Sequence, residues 1–441
     1  MEYRGNKYYF LGIGGIGMSA LAQYLFDRGN AVMGYDKTPS LVTEKLTKKG
    51  IPVVFDSKVS AIPKIFRHTK VVVVYTPALP EDHPQHLFFR RQGNQIKKRS
   101  VLLGEITEST TVFAIAGTHG KTTTASILTH LFDHLKLEFT AFLGGIMNTY
   151  QNNIIQKGNQ YSIVEADEYD RSFLQLSPDY ACITATDADH LDCYGDFNSM
   201  QKAYVTFSEK TSRGLVVARG VSIPGISYGT DRQSDYQAQN ILPTDSGYVF
   251  DLVTPNHTYR EVFLNAIGPH NLLNALGAIA LLDTAGFCLK TAIPALATFE
   301  GIHRRMEKGI LGNKILIDDY AHHPEEIKVV WQTLKEFYPN KKNLVVFQPH
   351  LFSRTHDFKE QFAQVLDLFD EIVLLDIYPA REKPISGVTS QTIADRMKNK
   401  KRSMIPRELF FETVQNSDAD LVVILGAGDI GNLVQKLKKT A

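Results

Sequence analysis

Cysteine is scarce in this chain, which has only Cys182, Cys193 and Cys288 among its 441 residues. Their number and spacing provide no disulfide framework and no Cys-x-x-Cys metal site. This excludes a small disulfide-stabilised domain and a thiolate zinc centre as the basis of the fold. We expect a reduced cytoplasmic compartment, with all three cysteines as buried or half-buried small side chains.

The chain also has no excess of charge of one sign and no long apolar run. It carries 48 basic and 47 acidic side chains and a net charge of +1, so its charge gives no reason to expect nucleic acid as a partner. No apolar run reaches the roughly 18 residues that a membrane helix needs. Met1–Lys7 lacks the apolar core of a signal peptide. We expect no membrane insertion, and the sequence specifies no oligomeric state.

Strand-like apolar runs alternate with helix-length segments along the whole chain. Examples are Val71–Val74, Asn343–Phe347 and Leu421–Leu425. Continuous β-branched runs of this kind are typical of strands covered on both faces in parallel sheets. The sequence therefore predicts an α/β fold, with breaks near residues 103–105 and 308–309 and a β-rich insertion at 219–262.

One glycine loop lies between a strand-like run and a helix-like pattern. Such a loop points backbone N–H groups at an anion, and the helix dipole favours negative charge there. Lys121 can reach terminal phosphates, and the Thr122 hydroxyl can ligate Mg²⁺. The loop is two residues shorter than a standard P-loop, because Ile115 stands where that pattern has glycine. We predict a nucleoside triphosphate site; the alternative is an ordinary helix N-terminus with a surface lysine. The predicted site residues are Gly117, Thr118, His119, Gly120, Lys121, Thr122 and Thr123.

A second glycine loop follows the first strand and opens a helix. Gly12, Gly14 and Gly17 satisfy the pattern GxGxxG, and Asp36 ends the next strand. Taken alone, this predicts NAD, with Asp36 on a ribose hydroxyl. The physics requires only a diphosphate-like group at the helix N-terminus. Gly426–Gly431 repeats the pattern near the C-terminus, where no room is left for a second strand and acid, so we interpret that copy as a tight β-α turn.

Two acidic clusters close strands downstream of the phosphate loop. The first contains Glu165, Asp167 and Glu168, and the second contains Asp189 and His190. Carboxylates at these strand ends are suitable ligands for Mg²⁺. A solvated acidic loop and a structural histidine are the alternatives.

Further polar groups follow later strands or open a long helix. Asn271 and Asn274 lie three apart in the first turn of that helix, where their amides could pair with adenine or cap the helix. Arg304 and Arg305 are candidate phosphate clamps. Polar loops at successive strand ends indicate ligand binding beyond the carboxyl edge of a sheet. These loops are Asp318–Pro324, Gln348–Thr355 and Tyr378–Pro384.

Together these segments resemble the Mur ligases, ATP-dependent enzymes that form amide bonds in peptidoglycan precursor synthesis. The motifs occur in the order of the family from residue 12 to about residue 431, so the resemblance covers essentially the whole chain. The short phosphate loop is shared by the wider superfamily, including folylpolyglutamate synthetases. The two opening glycine loops are typical of the alanine-adding branch.

The resemblance implies three domains: a Rossmann-like UDP-sugar domain (residues 1–105), a central P-loop-type ATPase α/β domain with the β-rich insertion (106–308) and a Rossmann-like C-terminal domain (309–441). It also implies a reaction. The lactyl carboxylate of UDP-N-acetylmuramic acid attacks the γ-phosphate of ATP, and the amine of L-alanine then attacks the acyl phosphate. The implied cofactors are ATP and Mg²⁺ or Mn²⁺.

The roles of individual residues follow from the same resemblance. Lys121, Glu168, His190, His350 and Arg354 would be catalytic, and Thr122, Glu168 and His190 would hold metal. Beyond the phosphate loop, ATP would contact His270, Asn271, Asn274, Arg305 and Asp319. The two substrates would contact Gly12, Gly14, Gly15, Gly17, Met18, Ser19, Asp36, Thr76, His323, His350 and Arg354.

Two other functions remain open on the sequence alone. One is a sister ligase that attaches a murein tripeptide or another amino acid. The other is an NAD-dependent oxidoreductase, which would have no use for a triphosphate loop. The general base for the amine is also open, with His190, His322, His323 and His350 as candidates.

Overall fold

The computed structural model describes residues 5–187, 191–380 and 382–440. The chain divides into two compact units. The first holds the described residues up to Asn240, together with Phe250–Val262 and Leu273–Phe299; the second holds Ile241–Val249, Phe263–Leu272 and the described residues from Glu300. Strands and helices alternate as the sequence predicts.

The first sheet is parallel and has the strand order β3-β2-β1-β4-β5. Its strands are β1 (Lys7–Leu11), β2 (Ala31–Tyr35), β3 (Val53–Val54), β4 (Val71–Tyr75) and β5 (Ile96–Lys98). Its helices are α1 (Ile16–Asp27), α2 (Leu41–Lys49), α3 (Pro84–Gln92) and α4 (Arg99–Thr107). The chain reverses its direction of progress between β1 and β4, and ligands bind beyond strand ends at such a switch point.

The second sheet has the order β15-β14-β13-β12-β11-β10-β6-β9-β7-β8. Its strands are β6 (Thr111–Ala116), β7 (Phe139–Met147), β8 (Asn152–Gln156), β9 (Tyr161–Glu165), β10 (Tyr180–Ile183), β11 (Gly214–Ala218), β12 (Ile226–Gly229), β13 (Tyr236–Pro243), β14 (Tyr248–Val253) and β15 (Thr258–Leu264). Its helices are α5 (Lys121–His134), α6 (Leu191–Tyr194), α7 (Phe197–Glu209), α8 (Pro269–Thr284) and α9 (Leu289–Ala292). The predicted β-rich segment thus extends one edge of this sheet.

The third sheet has the order β16-β17-β21-β18-β19-β20, with only its edge strand β16 shown antiparallel among the described pairings. Its strands are β16 (Glu307–Leu311), β17 (Lys314–Asp319), β18 (Asn343–Phe347), β19 (Glu371–Leu374), β20 (Arg402–Met404) and β21 (Leu421–Leu425). Its helices are α10 (Pro324–Phe337), α11 (Phe352–Asp357), α12 (Lys359–Leu366), α13 (Gln391–Ala394), α14 (Phe410–Asn416) and α15 (Ile430–Thr440). Short 3₁₀ turns occur at Val59–Ala61, Lys64–Phe66, Tyr169–Gln175, Ile293–Thr298 and Arg407–Leu409.

The central strands are buried on both faces, as their apolar runs predict. Every residue of β18 and of β21 is buried, which is expected where helices cover both sides of a parallel sheet. In the described part of the chain, no helix combines the length and the apolar character needed to cross a membrane. Cys182 is buried and Cys193 is half-buried, but the expectation is wrong for Cys288, which is exposed after the end of α8.

Candidate active site

The phosphate loop joins the end of β6 to the start of α5. Gly117 and Gly120 have φ values of 137° and 82°, which lie in the left-handed range that favours glycine. A Cβ atom at Gly117 would collide with the Thr184 hydroxyl, and one at Gly120 would collide with the Asn274 amide oxygen. Within the described residues, no side chain caps the N-terminus of α5. The first-turn amides of α5 are therefore suited to an anion.

Lys121 and Glu168 form an ion pair with each other. The Lys121 Nζ atom donates to both carboxylate oxygens of Glu168, at 2.8 and 2.7 Å, and Glu168 is fully buried. Burial raises the pKa of the Glu168 carboxyl, and the Lys121 charge opposes this shift. The predicted phosphate-binding lysine and the predicted metal ligand are thus brought together.

The Thr122 hydroxyl is directed at a different acid. It donates to Glu165 Oε1 at 2.9 Å, while the Gly144 N–H donates to Glu165 Oε2 at 2.7 Å. Glu165 ends β9, which pairs with β6 so that Glu165 lies beside Ile115. The predicted site omits Glu165, although the sequence places it in the acidic cluster. The signal that could have identified it is its position at a strand end next to the phosphate loop.

The predicted third metal ligand, His190, lies outside the described residues. Across residues 5–187, 191–380 and 382–440, no group of three or more His, Cys, Asp or Glu residues is arranged to hold a metal ion. His119 is exposed, and its ring lies 3.9 Å from the Asp187 carboxylate. Asn274 accepts a hydrogen bond from the Thr124 hydroxyl at 3.3 Å, so it contacts the first turn of α5.

The Gly12 loop joins β1 to α1 at the switch point of the first sheet. Gly12 has a φ of 87°, and a Cβ there would lie 2.7 Å from Thr76 Cγ2. The Gly14 N–H donates to Asp36 Oδ2 at 2.7 Å, so this carboxylate holds the loop. Ser19 donates to the Ile16 carbonyl at 2.8 Å, and the Met18 side chain is buried.

A cleft of about 370 Å³ begins at the N-terminus of α1 and lies within the first unit. Its lining includes Gly15–Met18 and Thr76 together with Phe142, Gly144 and Glu165. Sequence reasoning missed Arg99, which also lines the cleft and donates to Asp167 Oδ2 at 3.1 Å. Its sequence signal is a basic residue at the first position of α4.

In the second unit, Asp319 is held by backbone groups. Its two carboxylate oxygens accept hydrogen bonds from the N–H groups of Met306 (2.7 Å) and Ala321 (2.8 Å). Burial raises the pKa of Asp319, and the nearby Arg305 charge opposes this. Asn271 donates its amide to the Ile267 carbonyl at 2.8 Å, while burial, aided by Arg305, lowers the pKa of His270 to about 4.

Three predicted residues of the second unit lie close to His322. The rings of His322 and His350 meet edge to face with centroids 5.8 Å apart, and His350 also stacks on Tyr378 at 5.7 Å. Arg354 is near enough to affect the ionisation of His322. Its Nη1 atom is buried and has no hydrogen-bond partner among the described residues. His323 accepts the Glu325 N–H at the start of α10, and its ring packs against Phe358.

The C-terminal glycine repeat is filled by side chains of its own unit. Arg304 donates to the carbonyls of Gly426 and Gly428 and contacts Asp318 at 3.3 Å. Gln348 accepts the Ile430 N–H at 3.0 Å. The loop passes directly from β21 into α15, which agrees with a tight β-α turn.

Comparison with known proteins identifies the family. Residues 7–111 match the Mur ligase family catalytic domain, residues 115–282 the Mur ligase middle domain and residues 304–428 the Mur ligase glutamate ligase domain. UDP-N-acetylmuramate–L-alanine ligase of Flavobacterium johnsoniae is 45% identical over 434 residues, which cover 98% of this chain and 97% of that protein.

Solved structures agree. The crystal structure of UDP-N-acetylmuramate-alanine ligase from Thermotoga maritima matches with a TM-score of 0.86 at 31% identity, over 99% of this chain and 100% of that one. A murein peptide ligase from Psychrobacter arcticus matches with a TM-score of 0.70 at 21% identity, over 98% of each chain, and shares the fold. The predicted three-domain α/β class is confirmed, and the chain belongs to the Mur ligase family.

Proposed function

We propose that this chain joins L-alanine to the lactyl carboxylate of UDP-N-acetylmuramic acid, with hydrolysis of ATP to ADP and phosphate. The observation that carries the proposal is the position of Glu165. It lines the cleft at the α1 N-terminus and accepts a hydrogen bond from Thr122 of the phosphate loop. A substrate whose diphosphate lies at α1 could therefore extend its sugar end toward a bound triphosphate.

The chemistry requires activation of the carboxylate. A free carboxylate resists attack by an amine because its oxygen is a poor leaving group, and transfer of the γ-phosphoryl group creates an acyl phosphate with a better one. Phosphoryl transfer depends mainly on positioning and on stabilisation of negative charge. The α5 amides and the Lys121 ammonium are the groups in the first unit suited to that task.

We include Mg²⁺, or Mn²⁺, in the proposal, held by Thr122 and Glu168 together with Glu165 or His190. Hydroxyl and carboxylate oxygens are ligands that Mg²⁺ prefers. Glu168 also fits a cation site because a fully buried carboxylate requires a positive partner. If Lys121 turns to a phosphate, a divalent cation would supply that partner. When bound, the cation would neutralise charge on the phosphate oxygens.

In the second unit, we propose Arg354 and His350 for the carboxylate of the amino acid. The buried Nη1 atom of Arg354 supports this assignment, since nothing in the described part of the chain accepts a hydrogen bond from it, a guanidinium pairs strongly with a carboxylate and an unsatisfied donor is costly. His323 remains proposed for substrate, and His270, Asn271, Arg305 and Asp319 remain proposed for ATP. The proposed reaction uses ATP, and the described cysteines form no disulfide, so the proposed location is the cytoplasm.

Phosphate release tests the function directly. The protein would be mixed with ATP, Mg²⁺ and UDP-N-acetylmuramic acid, and then with L-alanine, glycine, L-serine or a murein tripeptide in separate reactions. We expect the highest kcat/KM with L-alanine and a product larger than the UDP-sugar by one alanyl residue in mass spectrometry. Turnover with the tripeptide but not with L-alanine would assign the chain to a sister ligase. Nicotinamide reduction without ATP would overturn the proposal altogether.

A further inference from the structure

His322 is held at one ring nitrogen by two acceptors. Its Nδ1 atom lies 2.9 Å from the Tyr320 carbonyl oxygen and 3.2 Å from Glu326 Oε2. Because both neighbours can only accept while Glu326 is ionised, Nδ1 carries the proton in the neutral ring. The lone pair is then on Nε2, which has no hydrogen-bond partner among the described residues.

The charged groups around His322 come from four segments of the second unit. Glu326 lies in the first turn of α10, Arg354 lies on α11, Arg305 precedes β16, and His350 follows β18. Burial lowers the pKa of His322; Glu326 raises it, while Arg354 and Arg305 lower it further. Burial opposes ionisation of Glu326, but His322, the backbone N–H groups of His322 and His323, and Arg305 together lower its pKa.

The resulting arrangement is a neutral imidazole oriented by an ionised carboxylate. Glu326 accepts the backbone N–H groups of His322 (2.8 Å) and His323 (3.1 Å), so its position is fixed by the start of α10. His323 uses its own Nδ1 to cap that helix, which leaves His322 as the better placed of the two for proton transfer.

We propose that His322 is the general base that takes a proton from the ammonium group of the incoming amino acid, with Glu326 as its positioning residue. The inference deepens the proposed function and rests on it. The buried Nη1 atom of Arg354, which has no hydrogen-bond partner among the described residues, indicates where the carboxylate of the amino acid would bind, and His322 lies within the electrostatic reach of that guanidinium.

The protons balance as follows. One N–H bond of the ammonium breaks and an Nε2–H bond forms on His322, which frees the nitrogen lone pair. That lone pair attacks the acyl carbon, and the bond from this carbon to the phosphate oxygen breaks. The nitrogen loses a second proton as the amide forms, and the departing phosphate carries it away as hydrogen phosphate. His322 returns its proton to water.

The decisive variant is His322→Asn, whose amide N–H can still donate to the Tyr320 carbonyl but which has no basic nitrogen. With L-alanine at neutral pH, we expect kcat to fall by about 10²- to 10⁴-fold, with little change in the KM for alanine. With hydroxylamine, whose nitrogen is unprotonated at neutral pH, we expect the rate of hydroxamate formation from the acyl phosphate to match the wild type. An equal loss with both nucleophiles would overturn the proposal.

The pH profile supplies an independent readout. In the wild type, kcat/KM for alanine should rise with pH through the pKa of His322 and then level off. In His322→Asn it should keep rising toward the pKa of the alanine amine, because only solvent generates the free amine. A levelling at the same pH in the variant would contradict the proposal.

Glu326→Gln tests the positioning role, because the amide oxygen can still accept while the charge is lost. The imidazolium then loses a stabilising charge, so the acid limb for alanine should move to lower pH, with a rate loss smaller than that of His322→Asn. An unmoved limb would contradict the role of Glu326. His356→Gln is the matched control, because His356 is an exposed histidine 3.0 Å from the Asp357 carboxylate. We expect this variant to keep the wild-type rate with both alanine and hydroxylamine.

Turnover by the wild type distinguishes an error in the proposed function from an error in the assignment of the base. If the wild type forms no ADP from ATP, UDP-N-acetylmuramic acid and L-alanine, the proposed function is wrong. If the wild type turns over and His322→Asn keeps normal kcat with alanine, the function stands and the assignment of the base is wrong.

Discussion

Two loops of this chain have the same GxGxxG spacing and opposite surroundings. In the Gly12 loop, a single carboxylate, Asp36, holds the backbone from one side, and the N-terminus of α1 borders a cleft. In the Gly426 loop, Arg304 binds the glycine carbonyls and Gln348 accepts the first N–H group of α15. The motif therefore specifies a tight strand-to-helix turn, and the neighbouring side chains decide whether the turn can bind a ligand.

The largest effect should come from the phosphate loop, where a substitution tests whether the Gly12 loop alone binds the UDP-sugar. Lys121→Ala should reduce turnover by at least about 10³-fold, because the γ-phosphate loses its cationic partner. Binding of UDP-N-acetylmuramic acid, measured by calorimetry, should survive.

A matched variant separates folding from function here. Lys121→Ala removes the ion pair between Lys121 and the buried Glu168 carboxylate, so Lys121→Met combined with Glu168→Gln is used to remove both charges at once. Loss of UDP-sugar binding in that folded double variant would show that the two loops do not divide the substrates as we propose.

The next largest effect concerns the Gly426 loop, whose glycine carbonyls bind Arg304. Arg304→Met should lower the free energy of unfolding by about 3 kcal/mol, because Asp318 becomes an unpaired buried acid. Urea denaturation measures this. Arg407→Met is the control, since its ion pair with Asp429 is more exposed and should contribute less than about 1 kcal/mol. Equal losses in the two variants would mean that Arg304 does not support the loop.

A smaller effect should distinguish the two loops directly. Gly14→Ala places a Cβ 2.8 Å from both Asp36 Oδ2 and Thr43 Cγ2, so we expect the KM for the UDP-sugar to rise about tenfold, equivalent to ~1.4 kcal/mol. Gly428→Ala, whose Cβ would lie 2.7 Å from Tyr378 Cβ, should lower stability and leave that KM unchanged. A raised KM for the UDP-sugar in Gly428→Ala but not in Gly14→Ala would contradict the assignment of the UDP-sugar to the Gly12 loop.

The smallest effect is a pH dependence of the free energy of unfolding that arises from Asp318, the acid that contacts Arg304 beside the Gly426 loop. Burial raises the pKa of Asp318 to about 6, against the opposing charge of Arg304. The folded state therefore holds a proton that the unfolded chain has released, and stability should fall as pH rises from about 4 to 6. Asp318→Asn should flatten this part of the profile, measured by denaturation at successive pH values. An unchanged slope would place the titration elsewhere.

Local pattern was enough to predict the α/β class and the positions of the loops. Apolar runs such as Val71–Tyr75 and Thr111–Ala116 become strands, and a glycine follows the second of them where the chain turns into a helix. These features depend on neighbours in sequence, which is why they can be read without the fold. The predicted domain boundaries and site roles stay predictions.

Long-range partners could not be predicted. Thr122 meets Glu165 only because β9 pairs beside β6, and Arg304 fills a loop more than 120 residues away. The His322–Glu326 pair is different. Its four-residue spacing across Pro324, at the first turn of α10, is visible in the sequence and could have identified His322 over His323.

The ion pair between Lys121 and Glu168 has a thermodynamic consequence. A nucleotide that draws Lys121 away removes the ion pair that offsets the burial of Glu168, and a cation that binds Glu168 removes the carboxylate from the Lys121 ammonium. Neither ligand alone compensates the charges of both Lys121 and Glu168, whereas the two ligands together do. By linkage, each ligand should then increase the affinity of the site for the other by the same factor, so nucleotide and metal would bind with positive cooperativity.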